Sequence, residues 1–236
     1  NLSGSVYLAD FNGDRASDLL VHGNLASYLM LGPVVLNDVT DIRAEADVII
    51  NADVGRAADR MGDVSGDGKT DLIFIRADGA GGADAVITVI MGGDGGGIEL
   101  PRIIDRNWVT TVAAAPDQNR VRQLTITNAG LLAAPGNTLS ALNWDDDNIS
   151  GHSHADLLVS ANTFIGFLVQ AFVIDGNALW RGEDANPIHP AFNASTDALA
   201  IIAVDGLSGS DDLRTTVAGE FVASTIADDA TYAFNV

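Results

Sequence analysis

Two short stretches place oxygen-bearing side chains at alternating positions of a loop. In the first, Asp10, Asn12, Asp14 and Asp18 take the first, third, fifth and ninth places, with Gly13 between them. In the second, Asp63, Ser65, Asp67 and Asp71 take the same places. Calcium is held by about six to eight hard oxygen ligands drawn from carboxylates, amides and backbone carbonyls. Alternating side chains of a tightly curled loop can all point inward to supply them. The backbone carbonyls of Ala16 and Lys69, at the seventh place of each loop, are available as further ligands, and Gly13 permits the turn. Ser65 is a poorer ligand than an amide or a carboxylate, so the second site is expected to be the weaker. An EF-hand would require a bidentate glutamate at the twelfth place and flanking helices. That place is Val21 or Phe74, inside an apolar run rich in strand formers. Solvated Asp-Gly turns alone would not demand an aspartate at the ninth place, yet both copies have one.

Two weaker copies follow. In Asn143-Trp-Asp-Asp-Asp-Asn-Ile-Ser-Gly-His-Ser-His-Ala-Asp156 the loop is longer by a few residues, and Asp145, Asp147 and Asp156 remain as candidate ligands. In the fourth, Asp205, Asp211 and Asp212 remain, but Leu207 and Gly209 fill the third and fifth places, so an ordinary turn is expected. His152 and His154 beside Asp156 form a possible transition-metal set on one face of an extended segment, against the default of a polar loop tip. The Gly92–Gly97 stretch reads as a flexible turn.

The elements that must carry these loops are strands. Of 32 acidic residues only Glu45, Glu99, Glu183 and Glu220 are glutamate, and the one lysine is Lys69. Aspartate and glycine belong to turns, whereas glutamate and lysine favour helices, so the bias predicts an all-β chain with many loops. Each loop leads into an apolar strand. Ala85–Met91 reads as the hairpin partner of the strand after Asp71, and the apolar run Leu157–Ile174, broken by polar residues, reads as two buried strands joined by a turn rather than a membrane span. A short helix is expected within 41–58. The first aspartates, Asp10, Asp63, Asp145 and Asp205, are 53, 82 and 60 residues apart, enough for about four short strands per unit. The expected organisation is one domain over 1–236, with units starting near 6, 59, 141 and 201 and an insertion or degraded unit at about 101–140.

These loops resemble the FG-GAP or VCBS repeats of integrin-type β-propellers, in which Asp-x-Asn-x-Asp-Gly-x-x-Asp-Leu sits between two strands of a blade. The resemblance implies calcium ligands at Asp10, Asn12, Asp14 and Asp18 and at Asp63, Asp67 and Asp71, with Ser65 a substitute. It also implies a β-propeller-like array of about four four-stranded blades, and adhesion or recognition of carbohydrate or protein. Integrin-type propellers usually have seven blades, so this would be an incomplete or fragmentary ring, with exposed strand edges open to self-assembly.

The net charge of −20 repels phosphate and anionic lipid, which argues against nucleic acid as a partner. Asn1–Asp10 has no basic leader segment and enters the first motif directly, as expected of a mature product or an internal piece. No catalytic constellation stands out: there is no cysteine nucleophile, no Gly-x-Ser-x-Gly and no His-Glu-x-x-His. The expected function is a calcium-stabilised binding or adhesion module, outside the cell or at its surface where calcium is near millimolar. The alternatives are a structural subunit of a surface layer or fibre and a hydrolase using an aspartate pair.

Overall fold

A computed structural model of the chain describes residues 5–34, 41–78, 84–93, 99–115, 120–126, 139–142, 154–163, 168–174, 176, 191–192, 200–204, 212–215, 221–224 and 231–234. They are mostly β-strands. The first sheet has the order β1 (Val6–Ala9), β2 (Asp18–His22), β3 (Ala26–Met30), β4 (Val48–Asn51) and β8 (Ile103–Ile104). The second runs β13 (Ala191–Phe192), β9 (Val121–Ile126), β7 (Asp84–Ile90), β6 (Leu72–Asp78), β5 (Arg56–Ala57). The third contains β10 (Leu139–Leu142), β11 (Asp156–Thr163), β12 (Leu168–Ile174) and β14 (Ala200–Val204). The fourth is β15 (Asp212–Thr215), β16 (Phe221–Ser224) and β17 (Thr231–Phe234). Pairing is antiparallel except where β8 joins β4 and β13 joins β9.

The residues after each ninth-place aspartate explain how the sheets stack. Leu72 and Phe74, one and three places beyond Asp71, pack with Leu20, Leu29, Val48 and Ile50 of the first sheet. Ile73 and Ile75, two and four places beyond, pack with Leu139, Ala141, Leu157 and Val159 of the third. The second sheet is therefore buried on both faces, which is why β6 and β7 read as continuous apolar runs rather than alternating ones. Leu157 and Val159, one and three places beyond Asp156, in turn face the second sheet. Odd offsets face the preceding sheet and even offsets the following one, at both interfaces.

Main-chain bonds tie the second and third sheets together. The Asp59 N–H donates to the Leu139 carbonyl at 2.7 Å, and the Ala141 N–H donates to the Arg60 carbonyl at 3.0 Å. Between the first and second sheets, the Tyr7 hydroxyl donates to the Ala58 carbonyl at 2.5 Å.

β7 is the hairpin partner of β6, and Leu157–Ile174 falls in the antiparallel pair β11 and β12. The helix expected within 41–58 is α1 (Ile42–Glu45), a single turn capped by the Asp41 side chain, with β4 and β5 filling the rest. The 101–140 stretch supplies β8 to the first sheet and β9 to the second, separated by α2 (Arg106–Ala113). Asp105 caps α2 by accepting the Trp108 N–H at 2.8 Å, and Val109, Val112 and Ala113 join the core between the first two sheets. Among the described residues no helix is long and apolar enough to cross a membrane.

Candidate metal centre

The first two loops are turns closed at the same register. Ala9 pairs with Asp18 at the base of the first, and Gly62 with Asp71 at the base of the second. The third closes at Leu142 and Asp156, so its extra residues lie inside the turn. Asp145, Asp147 and His152 fall outside the described residues. So does the fourth loop, whose flanking strands belong to different sheets: β14 to the third and β15 to the fourth.

Within the two turns the same backbone solution recurs. Positive φ occurs at the fourth and sixth places of each, at Gly13 (80°) and Arg15 (70°) in the first and at Gly66 (74°) and Gly68 (83°) in the second. Curling the chain this way points N–H groups inward, and the carboxylates accept them. Asp10 accepts from Gly13 at 2.6 Å and Arg15 at 2.9 Å; Asp63 accepts from Asp67 at 3.0 Å and Gly68 at 2.7 Å. At the fifth place, Asp14 accepts from the Ala16 N–H at 2.7 Å and Asp67 from the Lys69 N–H at 2.9 Å. Asn12 at the third place accepts the Asp14 N–H and donates to the Asp14 carboxylate, both at 3.0 Å. Its serine counterpart places Oγ 3.4 Å from Asp63 Oδ1 and 3.2 Å from Asp71 Oδ1, so the first, third and ninth places of the second loop meet.

The ninth-place aspartates are fully buried. One oxygen of each reaches back into its own loop: Asp18 Oδ2 accepts from Phe11 at 2.7 Å and Asn12 at 3.2 Å, and Asp71 Oδ2 from Ser65 at 2.7 Å. The other oxygen reaches a glycine two residues past the end of the next strand. Asp18 Oδ1 accepts from Gly32 at 2.6 Å, Asp71 Oδ1 from Gly92 at 2.8 Å and Asp156 Oδ1 from Gly176 at 3.1 Å. A Cβ at Gly32 or Gly92 would lie 2.5 Å from the carbonyl oxygen of Ser17 or Thr70, the residue before the aspartate. At Gly176 it would meet the carbonyl of Ala155 in the same way. These glycines shape the loops although the loop motif does not contain them. Their signal in the sequence is a glycine recurring two residues after Met30, Ile90 and Ile174.

Each loop also leans on the next. The Asp10 carbonyl accepts the Thr70 N–H at 3.4 Å, and the Asp63 carbonyl accepts the Ala155 N–H at 2.6 Å. The side chain two residues before the buried aspartate of the following loop covers the fourth-place glycine: Lys69, ahead of Asp71, lies against Gly13, and His154, ahead of Asp156, against Gly66. His154 Nδ1 is 2.8 Å from the Val64 carbonyl, which makes that nitrogen the donor and engages the ring in loop packing. The three loops thus form a row with one repeated contact.

Among the described residues no three His, Cys, Asp or Glu side chains are gathered about one point as metal ligands. The donor set nevertheless fits a hard cation, and the second loop carries the sharper observation. Asp67 Oδ2 is buried with no hydrogen-bond partner and lies 4.0 Å from Lys69 Nζ. Burial pushes Asp71 up to about 7; the Ser65 and Gly92 N–H groups oppose this, and the Asp63 and Asp67 charges reinforce it. Burial raises Asp63 as well, while Asp14, exposed in the first loop, is lowered by the Ala16 N–H and the Asn12 amide. Two carboxylates whose burial opposes ionisation, Asp63 and Asp71, beside an Asp67 oxygen with no hydrogen-bond partner, are what a divalent ion would relieve. No family model matches the chain, and no curated protein matches it.

Two outcomes are expected from this geometry. Arg15 adopts a left-handed conformation that costs a residue with a Cβ about 1–2 kcal/mol, so Arg15→Gly should raise the unfolding free energy by up to about 1 kcal/mol, read as a higher urea midpoint. Gly68→Ala, with nothing within 4 Å of the added methyl, should lower it by a similar amount through the backbone alone. The second outcome is a pH dependence. Asp71 has a folded pKa of about 7 against an ordinary value of 3.8, so between those values the native state holds more protons than the unfolded one. In chelator, stability should therefore fall as pH rises from about 4 to about 7 and level off above, by no more than about 4 kcal/mol. Asp71→Asn should flatten that slope in thermal or urea unfolding.

Proposed function

We propose that this chain is an extracellular or cell-surface module of β-propeller-like repeats, stabilised by calcium, that recognises carbohydrate or protein and does not catalyse a reaction. The observation that carries the calcium reading is the second loop, where Asp63, Ser65 and Asp71 meet near Asp67 Oδ2, an oxygen buried without a hydrogen-bond partner. Asp63, Ser65, Asp67, Asp71 and the Lys69 carbonyl would hold the ion there. Asp10, Asn12, Asp14, Asp18 and the Ala16 carbonyl would do so in the first loop, and Asp145, Asp147 and Asp156 in the third. Oxygen donors without sulfur or a committed imidazole suit calcium rather than zinc or copper. Bound there, the ion would neutralise the clustered carboxylates and fix the turns that space the sheets. Modest-affinity sites of this kind fill at extracellular calcium levels and not at cytosolic ones, which supports the location.

The propeller-like reading draws support from the repeated stacking, in which even offsets of one sheet meet odd offsets of the next at both the first–second and second–third interfaces. A role as a structural subunit is the second reading, favoured by an apolar face on the first sheet that keeps Val6 and Leu8 exposed.

Isothermal titration calorimetry tests the calcium reading. Calcium should bind with a dissociation constant of about 10⁻⁴–10⁻³ M or tighter. Asp14→Ala and Asp67→Ala together should abolish the heat of binding at the first two loops. No heat at millimolar calcium for the unaltered chain would refute the assignment.

A further inference from the structure

The chain has one lysine, and it stands in the second loop. The Lys69 N–H donates to Asp67 Oδ1 at 2.9 Å, and the Lys69 ammonium lies 4.0 Å from Asp67 Oδ2. At that distance the ammonium offsets the charge of the carboxylate without taking a lone pair from this oxygen. Asp67 Oδ2 is buried without a hydrogen-bond partner, so its lone pairs stay open to a ligand position.

The lysine stem holds the charge in place. A Cβ on Gly13 would fall 2.5 Å from Lys69 Cε, and one on Gly93 would overlap Lys69 Cδ and Nζ. The stem therefore runs through a slot that exists only because both residues lack a side chain. The slot itself is fixed, since the Gly93 N–H donates to the Phe11 carbonyl of the first loop at 2.5 Å. Exposed lysines sample many rotamers and contribute little as ion pairs. Here the lysine side chain is 28% exposed and the Asp67 side chain 15%. In the first loop the same place is Ala16, and there the fifth-place Asp14 is exposed and water can compensate it. The counter-charge is found where the carboxylate is the more buried.

We propose that Lys69 is the resident counter-cation of the ion-free second loop, and that its ammonium competes with a divalent ion for Asp67 and so sets the affinity of that site. This inference rests on the calcium reading of the loop. One residue then serves both states: its carbonyl is a ligand when the ion is bound, and its ammonium offsets Asp67 when it is not. An ammonium and a divalent ion at one carboxylate repel each other, so the lysine weakens the hold on the ion. In return the loop stays folded when calcium is scarce.

Lys69→Met, which keeps most of the stem in its slot and removes the charge, is the test in the full chain. Calorimetry should show calcium binding at the second loop at least about threefold tighter than in the unaltered chain. The urea midpoint should fall in chelator, and that deficit should shrink or reverse in millimolar calcium. Both effects should vanish on an Asp67→Ala background. Lys69→Gln is read in the same way if the methionine variant does not fold. Calcium uptake by the unaltered chain with an affinity that Lys69→Met leaves unchanged would overturn this inference alone. So would a loss of stability of equal size in chelator and in calcium, which is the mark of packing without charge. No uptake by the unaltered chain would instead remove the calcium assignment, and the competition with it.

Discussion

A buried carboxylate at the start of a strand organises this protein. Asp18, Asp71 and Asp156 are each removed from water, and each spends one oxygen on the N–H of a glycine two residues past the end of the neighbouring strand. Burying an ionised carboxylate is costly unless hydrogen bonds or a cation compensate it. The compensation fixes several things together. It closes the loop, sets where the following strand must end, and leaves room for no side chain at Gly32, Gly92 or Gly176. Placing Leu, Ile or Val immediately after the aspartate then commits odd offsets to one interface and even offsets to the other. The spacing of the sheets follows from the chemistry of the turns.

This also explains how much of the molecule was legible in the sequence. The strands after the aspartates were readable because their apolar runs are continuous, as strands buried on both faces require. The paired register of the first two loops was readable because both keep nine places and place glycine at the fourth, Gly13 and Gly66, where φ is positive. Other parts depended on contacts between residues far apart in sequence. Gly92 is 21 residues from Asp71, and Gly32 is 14 from Asp18, so no local pattern connects them. The α2 helix had only Asp105 as a start signal and a short apolar stripe, and it forms because Val109 and Val112 find the seam between two sheets. β8 and β9 were hidden in a stretch that looked like an insertion because each completes a sheet begun many residues earlier. His154 invited a metal reading by its spacing from His152 and Asp156. Its ring instead covers Gly66 and meets the Val64 carbonyl, a contact across the row of loops.

The loops and the sheets therefore bear on each other. A cation in the second loop would act on Asp63, Asp67 and Asp71, and through Asp71 on Gly92 and the end of β7. Through the Asp63 carbonyl and the Ala155 N–H it would act on the base of the third loop. Stabilising one turn stabilises its neighbour in the row, so ion binding and sheet stacking are expected to be cooperative. The excess of aspartate over glutamate fits this economy, since the shorter side chain can hold the N–H groups of its own loop while leaving an oxygen for an ion.

If the loop carboxylates, and not the apolar stacking alone, set the stability of the fold through a divalent ion, calcium must raise the melting temperature. Thermal unfolding is followed by circular dichroism near neutral pH, in millimolar calcium and in excess chelator. The melting temperature should be higher in calcium, with the gain lost in the Asp14→Ala, Asp67→Ala double variant. Superimposable melting curves for the unaltered chain in the two conditions would rule out a structural role for the ion.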